Sequence, residues 1–415
     1  MSKYPKVRIK NFDEPWILKK FDEIFFERHQ IGYISKEYPQ LSFTIADGVI
    51  NPEDRKTNNR DFLIIDKANK KYLITEYNDI IYNPANVVYG AIHRNKYKKG
   101  VVSPIYRIFW TNQNPTFMEN IVRNERFIKQ IARRTEGTVT KLKTLKPEAF
   151  LDMESYVSPN LTEQNEIGKI ITSIDDLIEK QSQKVEKINY MKQNLLNKLF
   201  PAFNEKKPKL RLMKFNEDWQ NCSLGSLCEV VTKQTGFDYS STIKPSLISY
   251  NINNTLPYLQ TKNFSGINFN YDTDYYIPIR IANQFEKIML NKKCILISIV
   301  GSIGNVAFFP NEVKCFLGGA ICVAKLKEEE KTEFVYYYLS SNAGQRQLKD
   351  SSKGTTQTTV TIEDIRNFDI LYPESEEARK IGKILKNIDS LIELNTKKLE
   401  DYKKIKNYLL NNMFV

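Results

Sequence analysis

The chain contains the same frame twice, and this internal repeat limits its fold more than any other feature of the sequence. The segment Pro5–Phe12, PKVRIKNF, aligns with Pro208–Phe215, PKLRLMKF, at an offset of 203 residues. The same offset pairs Trp16 with Trp219. A repeat of this length predicts two structural copies of one unit rather than one continuous core.

A second and longer match lies near the end of each copy. Residues 163–200 align with residues 377–414 without a gap, and 17 of the 38 positions are identical. Unrelated segments agree at about one position in sixteen, so this match indicates a true duplication. The interiors, residues 13–150 and 216–364, resemble each other only faintly. A conserved frame around varied interiors indicates two versions of one task.

Apolar residues in the longer match recur at alternating steps of four and three, which is the pattern of a coiled-coil seam. Polar residues interrupt it at matched positions, Gln181 with Asn395 and Lys192 with Lys406. Two interpretations stay open: these residues fix the register, or they lie at the edge of the seam and reach solvent. We expect two long helices that pair as an antiparallel coiled coil. The predicted seam consists of Ile174, Ile178, Gln181, Val185, Ile188, Leu195, Ile388, Ile392, Asn395, Leu399, Tyr402 and Leu409.

The variable interiors predict mostly short strands, such as Lys71–Thr75 and Lys293–Ser298, bounded by Gly, Pro, Asn and Asp. Each interior also predicts one late helix, from Phe117 to about Ala132 and from Thr332 to about Leu348. The expected fold class is therefore α+β, with two mostly-β domains alternating with two long helices in an internal pseudo-two-fold repeat. The expected boundaries are a first variable domain at 1–159, a central helix at 160–200, a linker at 201–214, a second variable domain at 215–374 and a C-terminal helix at 375–415.

The charge balance favours an acidic partner. Lys and Arg number 62 against 49 Asp and Glu, for a net charge of +13, and nucleic acid is the commonest partner of such a chain. Basic and aromatic residues are interleaved in several loops, which suits contact with phosphates and base edges, although each run alone also fits a solvated surface. The DNA-binding candidates are Arg94, Lys96, Tyr97, Lys98, Lys99, Arg133, Arg134, Lys233, Gln234, Thr235, Thr261, Lys262, Asn263, Ser302, Lys353, Thr355 and Gln357.

Several classes of site and location are disfavoured by what the sequence lacks. Two histidines and five cysteines without a CxxC pair disfavour a zinc site, so no metal is expected. An odd cysteine count also disfavours a disulfide framework. There is no secretory signal and no apolar run long enough to span a bilayer, so a cytoplasmic location is expected. Because no catalytic motif is recognisable, no catalytic residue is assigned.

In its repeated order of segments, the chain resembles the DNA-specificity (S) subunit of type I restriction–modification systems over nearly its whole length. Pro5 to Trp16 and Pro208 to Trp219 resemble the opening of each target recognition domain. Gly301-Ser-Ile-Gly304, Lys353-Gly-Thr355 and Leu161-Thr-Glu-Gln164 also match, and the segment starting at Glu377 resembles the second conserved helix. The first domain departs from the pattern, since Gly90-Ala-Ile-His93 stands where a Gly-Ser-x-Gly turn is expected.

The resemblance implies a subunit that reads DNA and is not itself an enzyme. Each target recognition domain would read half of a bipartite asymmetric site, with the helices acting as spacer and as platform for two modification subunits. Adenine-N6 methyltransferase and ATP-dependent endonuclease activities, with S-adenosylmethionine, ATP and Mg²⁺, would belong to the modification and restriction (motor-nuclease) subunits. The alternative is a coiled-coil scaffold whose basic domains bind proteins or anionic surfaces.

Overall fold

The chain divides into two compact units. The computed structural model describes residues 3–55, 70–135, 144–202, 205–212, 215–301, 303–351 and 359–415. Unit 1 comprises residues 1–182 and 398–415, and unit 2 comprises residues 183–397. Each unit therefore contains one variable interior together with a part of both long helices.

Unit 1 combines short strands with a few helices. Its strands are β1 Ile17–Lys20, β2 Phe25–Glu27, β3 Ile31–Gly32, β4 Ser42–Thr44, β5 Gly48–Ile50, β6 Tyr72–Thr75, β7 Ile80–Tyr82, β8 Ile92–Arg94, β9 Gly100–Val102, β10 Arg107–Thr111 and β11 Glu154–Val157. Its helices are α1 Pro115–Val122, α2 Glu125–Arg134, α3 Pro147–Leu151 and the first part of α4 Leu161–Leu199.

Unit 2 has the same general make-up. Its strands are β12 Gln220–Ser223, β13 Cys228–Lys233, β14 Thr255–Leu259, β15 Phe264–Ser265, β16 Asn268–Phe269, β17 Tyr276–Pro278, β18 Met289–Leu290, β19 Cys294–Ser298, β20 Val306–Phe309, β21 Cys315–Leu317, β22 Ile321–Leu326 and β23 Asp369–Tyr372. Its helices are α5 Leu224–Leu227, α6 Gly236–Asp238, α7 Lys244–Ser246, α8 Ile279–Ala282, α9 Thr332–Ser340, α10 Asn342–Asp350, α11 Ile362–Arg366 and most of α12 Ser375–Asn412. The expected α+β class is confirmed.

Each interior is built on a four-stranded antiparallel sheet. The strand order is β2-β10-β7-β8 in unit 1 and β13-β22-β19-β20 in unit 2. A second sheet differs between the units: β3-β6-β9 in unit 1 is antiparallel, whereas β17-β14-β21-β18 in unit 2 contains the parallel pair β14 and β21. The interiors have therefore diverged in topology as well as in sequence.

A matched pair of strands closes each interior. β1 pairs antiparallel with β11 in unit 1, and β12 pairs antiparallel with β23 in unit 2. In both units the first of these strands follows the repeated tryptophan, and the second leads into a long helix. The pairing therefore brings the two ends of each variable interior together at the base of its helix.

Within each unit, the segments of the two long helices run antiparallel, as predicted. In unit 1 the first turns of α4 share an apolar core with Leu409 and Met413 near the end of α12. In unit 2 the end of α4 shares a core with Ile381 and Leu385 near the start of α12. The side chain of Asn160 accepts from the backbone N–H of Thr162 at 2.8 Å and so caps α4.

The prediction of one late helix in each interior is wrong, because the structure has two consecutive helices in each. α1 ends at Val122 and α2 begins at Glu125, where the side chain of Asn124 accepts from the backbone N–H of Arg126. α9 ends at Ser340, and Ser341 caps α10 in the same way. A capping side chain offers the backbone an alternative partner, which lets the chain stop one helix and start another in a new direction.

Gly301 and Gly304 of the predicted glycine turn lie between two paired strands. β19 and β20 pair antiparallel, from Cys294 opposite Phe309 to Ile297 opposite Val306. Gly301 and Gly304 both have positive φ, at 74° and 93°. This backbone conformation favours glycine, because a Cβ atom would crowd the chain there.

Candidate nucleic-acid interface

In unit 1 a buried carboxylate fastens the opening segment to the long helix. Glu163 in the first turn of α4 accepts from Arg8, with Nε at 2.7 Å and Nη2 at 3.0 Å. The indole N–H of Trp16 donates to the same carboxylate at 3.3 Å, and Ser158 also donates to it. Phe414, just beyond α12, packs edge-on against Trp16. A bidentate arginine fixes both the distance and the orientation of the two segments it joins.

Unit 2 repeats this arrangement with its own residues. Glu377 in α12 accepts from Arg211, with Nε at 3.0 Å and Nη2 at 2.9 Å, and from the indole N–H of Trp219 at 3.3 Å. Phe200, just beyond α4, packs edge-on against Trp219. In each unit, the start of one repeat therefore meets the end of the same repeat. We call each set of three residues the Arg–Glu–Trp lock. Each lock holds a different interior in the same way.

A glycine beside each lock allows an interior to approach its helix closely. A Cβ atom on Gly168 of α4 would lie 2.8 Å from Oδ1 of Asn114, the residue that caps α1. A Cβ atom on Gly382 of α12 would lie 3.3 Å from the backbone nitrogen of Phe334 in α9. This close approach explains why the repeated Ile-Gly-Lys-Ile segment contains glycine despite its poor helix propensity.

A tightly held turn in unit 1 displays two lysines and a tyrosine. Asn95 is buried, and its Nδ2 donates to Thr75 Oγ1 and to the carbonyls of Glu76 and Lys98, at 2.9–3.1 Å. Its Oδ1 accepts from the backbone N–H of Tyr97 at 3.0 Å. Lys96, Tyr97 and Lys98 are exposed on this turn. The turn therefore presents cations and an aromatic ring in a preset geometry, which suits phosphate and base contact.

Glu119 of α1 gathers the basic side chains next to this turn. Its buried carboxylate lies 3.2 Å from Arg94 Nε, 3.1 Å from Lys96 Nζ and 3.6 Å from Arg123 Nη1. Burial by itself raises the pKa of Glu119, but the charges of Lys96, Arg94 and Arg123 outweigh it and hold this pKa below its ordinary value. Arg94 is itself buried, so the structure places this candidate beneath the surface, whereas Lys96 stays exposed.

Two of the three remaining DNA-binding candidates of unit 1 already form ion pairs within the protein. Lys99 is half-buried, pairs with Glu37 at 2.6 Å and lies over the ring of Tyr38. Arg134 pairs with Asp152 at 2.8 Å, while Arg133 is exposed beside it in the last turn of α2. Arg133 is thus the better placed of the two arginines to reach a phosphate.

In unit 2 the loop after β13 lies beside an open cleft. Lys233 and Thr235 are exposed, whereas Gln234 between them is buried, and its Oε1 accepts from the hydroxyl of Tyr258 at 3.1 Å. Thr235 caps α6 through the backbone N–H of Asp238. The loop therefore presents its side chains on two sides, with the lysine outward and the glutamine inward.

The second candidate loop of unit 2 is a 3-10 turn at Thr261–Asn263. Asn263 is buried, and its Oδ1 accepts from the backbone N–H of Gln260 at 2.9 Å, so the side chain shapes the turn. Lys262 is exposed and pairs with Asp274. Thr261 is half-buried. The candidates Ser302, Lys353, Thr355 and Gln357 lie outside the described residues.

The proteins that this chain resembles in sequence are described as type I specificity subunits or domains. The family model described as type I restriction modification DNA specificity domain matches residues 216–403. The MjaVIII specificity subunit of a type I restriction enzyme from Methanocaldococcus jannaschii is 25% identical over 429 residues, 98% of this chain and 90% of that protein. The MjaX specificity subunit of the same organism is 30% identical over 258 residues, 61% of this chain and 56% of that protein.

Solved structures agree in fold. The S subunit of a type I restriction–modification system from M. genitalium superposes with a TM-score of 0.61 at 15% identity, covering 99% of both chains. A structure described for complex assembly and conformational transition of the type I R-M system superposes with a TM-score of 0.53 at 12% identity, covering 98% of this chain and 99% of that one. The matched family model, both curated relatives and the M. genitalium structure are described as specificity subunits or domains of type I restriction systems. The resemblance seen in the sequence is confirmed.

The predicted seam residues lie on the less exposed sides of the long helices. All twelve are buried or half-buried. The lysines that interrupt the seam are paired with aspartates: Lys192 Nζ lies 2.5 Å from Asp389, and Lys406 Nζ lies 2.5 Å from Asp175. The first pair lies within unit 2 and the second within unit 1. The two lysines occupy matched positions of the repeat, and so do the two aspartates.

Two features of the protein were missed by sequence reasoning. Asn95 and Glu119 position the basic turn, yet they look like ordinary polar residues in the sequence. The only signal for the Arg–Glu–Trp locks was the conservation of their residues between the two copies, at two different offsets. That signal identifies the residues but does not show that they meet.

The five cysteines of the chain are free thiols. Burial raises the pKa of Cys228, Cys294 and Cys315 to about 12, which keeps these thiols protonated and unreactive. Over the described ranges, no group of three or more His, Cys, Asp or Glu residues could hold a metal ion. In the same part of the chain, no helix is long and apolar enough to cross a membrane.

Proposed function

We propose that this chain is the specificity subunit, the DNA-reading component, of a type I restriction–modification complex, with each unit reading one half of a bipartite asymmetric site. The observation that carries the proposal is the pair of Arg–Glu–Trp locks, which mount two diverged interiors on long helices in the same way. Conserved mounts with varied interiors fit two recognition domains with different target sequences. The net charge of +13 supports an affinity for duplex DNA.

In this proposal the exposed lysines set the register on the phosphates and the loop side chains choose bases. In unit 1 the turn held by Asn95 presents Lys96 and Lys98 beside Tyr97. In unit 2 the end of β13 presents Lys233, and the 3-10 turn presents Lys262. The two units thus offer different chemistry to DNA, as two half-sites of different sequence require.

The long helices would also dock two modification subunits. Ile170 and Ile384 occupy matched positions and are both 37% exposed, and Leu177 and Leu391, one heptad further on, are both 44% exposed. These residues lie outside the seam, so packing within a unit does not account for their conservation. Two equal apolar surfaces, one in each unit, fit two copies of the same partner.

The chain would act as the targeting subunit and leave catalysis to its partners. Adenine-N6 methylation with S-adenosylmethionine is assigned to the modification subunits, and ATP- and Mg²⁺-dependent translocation and cleavage to the restriction (motor-nuclease) subunits. The domain boundaries follow from this division, with recognition domains at 1–159 and 215–374 and helices at 160–200 and 375–415. Because the DNA that the complex would bind lies in the cytoplasm, the complex would act there as well.

The test is a map of methylated adenines. The chain is co-expressed with its cognate modification subunit in a host without other adenine methylation, and the genome is read by single-molecule sequencing. A split motif that depends on the chain is expected. The matched control is the double variant Leu177→Asp and Leu391→Asp, which should still bind the site in salt-sensitive fashion but lose the methylation. Absence of any motif with a folded, assembled complex would refute the DNA-reading role in favour of the scaffold.

A further inference from the structure

An open cleft of about 560 Å³ lies next to the loop that follows β13 in unit 2. Its walls include Lys233, Gln234, Tyr239, Lys244 and Tyr258. The volume is in the range of small-ligand pockets, and the cleft is open enough to admit part of a larger molecule. The residues of its walls take no part in the Arg–Glu–Trp lock of unit 2 or in the pairing of β12 with β23.

Gln234 gives the cleft an unsatisfied hydrogen-bond donor. The residue is 4% exposed, and its Oε1 accepts from the hydroxyl of Tyr258 at 3.1 Å. Its Nε2 has no hydrogen-bond partner among the described residues. A buried N–H group without an acceptor is unfavourable, so a ligand that brings an acceptor oxygen or nitrogen to this place gains binding free energy.

The contact with Tyr258 determines which atom of the Gln234 amide can bind a ligand. The tyrosine hydroxyl donates to Oε1, so the Nε2 amino group remains as a donor for the ligand. Gly319 lies against the same oxygen, where a Cβ atom would be 3.2 Å from Oε1. The amide is therefore held in one orientation between a hydroxyl and a glycine.

The charge of the cleft matches an anionic ligand rich in acceptors. Lys233 and Lys244 are exposed on its walls, and of the described residues that line it none is acidic. Tyr275 is exposed at the same cleft and offers an aromatic face. Cations for phosphate, a ring for stacking and a fixed donor for a base edge are the elements of nucleotide recognition.

Among the four bases, guanine fits this donor set best. Guanine shows two acceptors in the major groove, O6 and N7, whereas thymine shows only one, O4, beside its methyl group. Cytosine shows an amino donor, and adenine shows a donor beside its acceptor. We propose that this cleft reads a guanine in the half-site of unit 2, with Gln234 Nε2 donating to its edge. This inference rests on the proposed function, because it names a base within the site that unit 2 reads.

The test compares base preferences of Gln234→Glu and the wild type. The variant keeps the side-chain shape but replaces the donor with an acceptor. Binding of the full chain, with its modification subunits, is measured on duplexes carrying each base pair at each position of the motif. A loss of guanine preference on the order of tenfold at one position of the unit 2 half-site is expected, with cytosine favoured in its place. The half-site of unit 1 should keep its preferences.

Two further variants separate the possible outcomes. Gln220→Glu adds the same charge to an exposed position of unit 2 and should change no base preference. Tyr258→Phe frees the amide to rotate and should weaken discrimination at the same single position, which provides the test if Gln234→Glu does not fold. Unchanged preferences in the folded variants would overturn the guanine assignment alone. A wild-type chain without any sequence preference would instead overturn the proposed function.

Discussion

His93 is a buried imidazole in the four-stranded sheet of unit 1. It is 3% exposed, and its Nε2 lies 2.7 Å from the carbonyl oxygen of Ile45, to which the neutral ring donates. Burial is the main cause that lowers the pKa of His93 to about 4, and the charge of Arg123 acts in the same direction. The folded chain therefore keeps this ring neutral at pH values where the unfolded chain protonates it.

The lowered pKa of His93 makes the stability of unit 1 depend on pH. An unfolded histidine titrates near pH 6.5, so its contribution is complete above that value and is lost as the pH falls towards 4. We expect a loss of about 2 kcal/mol in the free energy of unfolding between pH 8 and pH 5. Urea unfolding at several pH values measures it. His93→Gln should flatten this dependence, while His29→Gln, at an exposed position, should not; equal slopes in both variants would contradict the assignment.

At the scale of elements, the two lysine–aspartate pairs of the helix seam are not equivalent, although their residues match. The Asp389 carboxylate is 6% exposed and accepts from Tyr337 Oη at 2.7 Å in addition to its pair with Lys192. The Asp175 carboxylate is 34% exposed in its pair with Lys406. Tyr337 belongs to the interior of unit 2 and covers the pair of Lys192 and Asp389. The variable interior therefore changes the surroundings of an ion pair that both copies of the repeat contain.

This difference predicts unequal effects of the same substitution. Asp389→Asn leaves a largely buried lysine without its counter-ion and should destabilise unit 2 by about 2–3 kcal/mol. Asp175→Asn in unit 1 should cost less than about 1 kcal/mol, because water screens the exposed pair. Hydrogen exchange of the backbone amides in α4 and α12, read separately for each unit, measures both. Equal loss of protection in the two variants would show that burial does not decide the strength of these pairs.

At the scale of the whole molecule, the proposed function makes the helices the determinant of the gap between half-sites. Inserting seven residues after Ser182 and after Thr396, which are matched positions, keeps the seam pattern and lengthens each helix by about 10 Å. The gap in the methylated motif should grow by about three base pairs, since B-DNA rises about 3.4 Å per pair, while both half-sites stay the same. Methylated adenines are mapped as before.

An insertion in one helix alone serves as the control for that experiment. It shifts the seam residues of one helix against the other, so pairing and methylation should both be impaired. Changed half-sites at a constant gap, in the chain with both insertions, would argue against the helices as spacer.

Much of the frame could be predicted because its residues follow periodic or repeated patterns in the sequence. The seam from Ile174 to Leu195 follows helical spacing, and its antiparallel partner was expected from the duplicated helix. The candidate sites were harder. Arg94 and Asn263 have the right chemistry for DNA contact, but the structure buries them in hydrogen bonds to Glu119 and to the backbone of Gln260. Local composition does not report burial, because burial depends on residues far away in the chain.

The sequence by itself determined the duplication, the α+β class, the long helices and the resemblance to type I specificity subunits, since repeats and periodicity are properties of the order of residues. Only the tertiary structure decided that Arg8 meets Glu163 and that Arg211 meets Glu377, each across more than 150 residues. It also decided that Gln234 offers an unpaired donor while its neighbour Lys233 faces outward. The physical reason is that hydrogen-bond partners and solvent exposure arise from contacts between segments that the fold brings together.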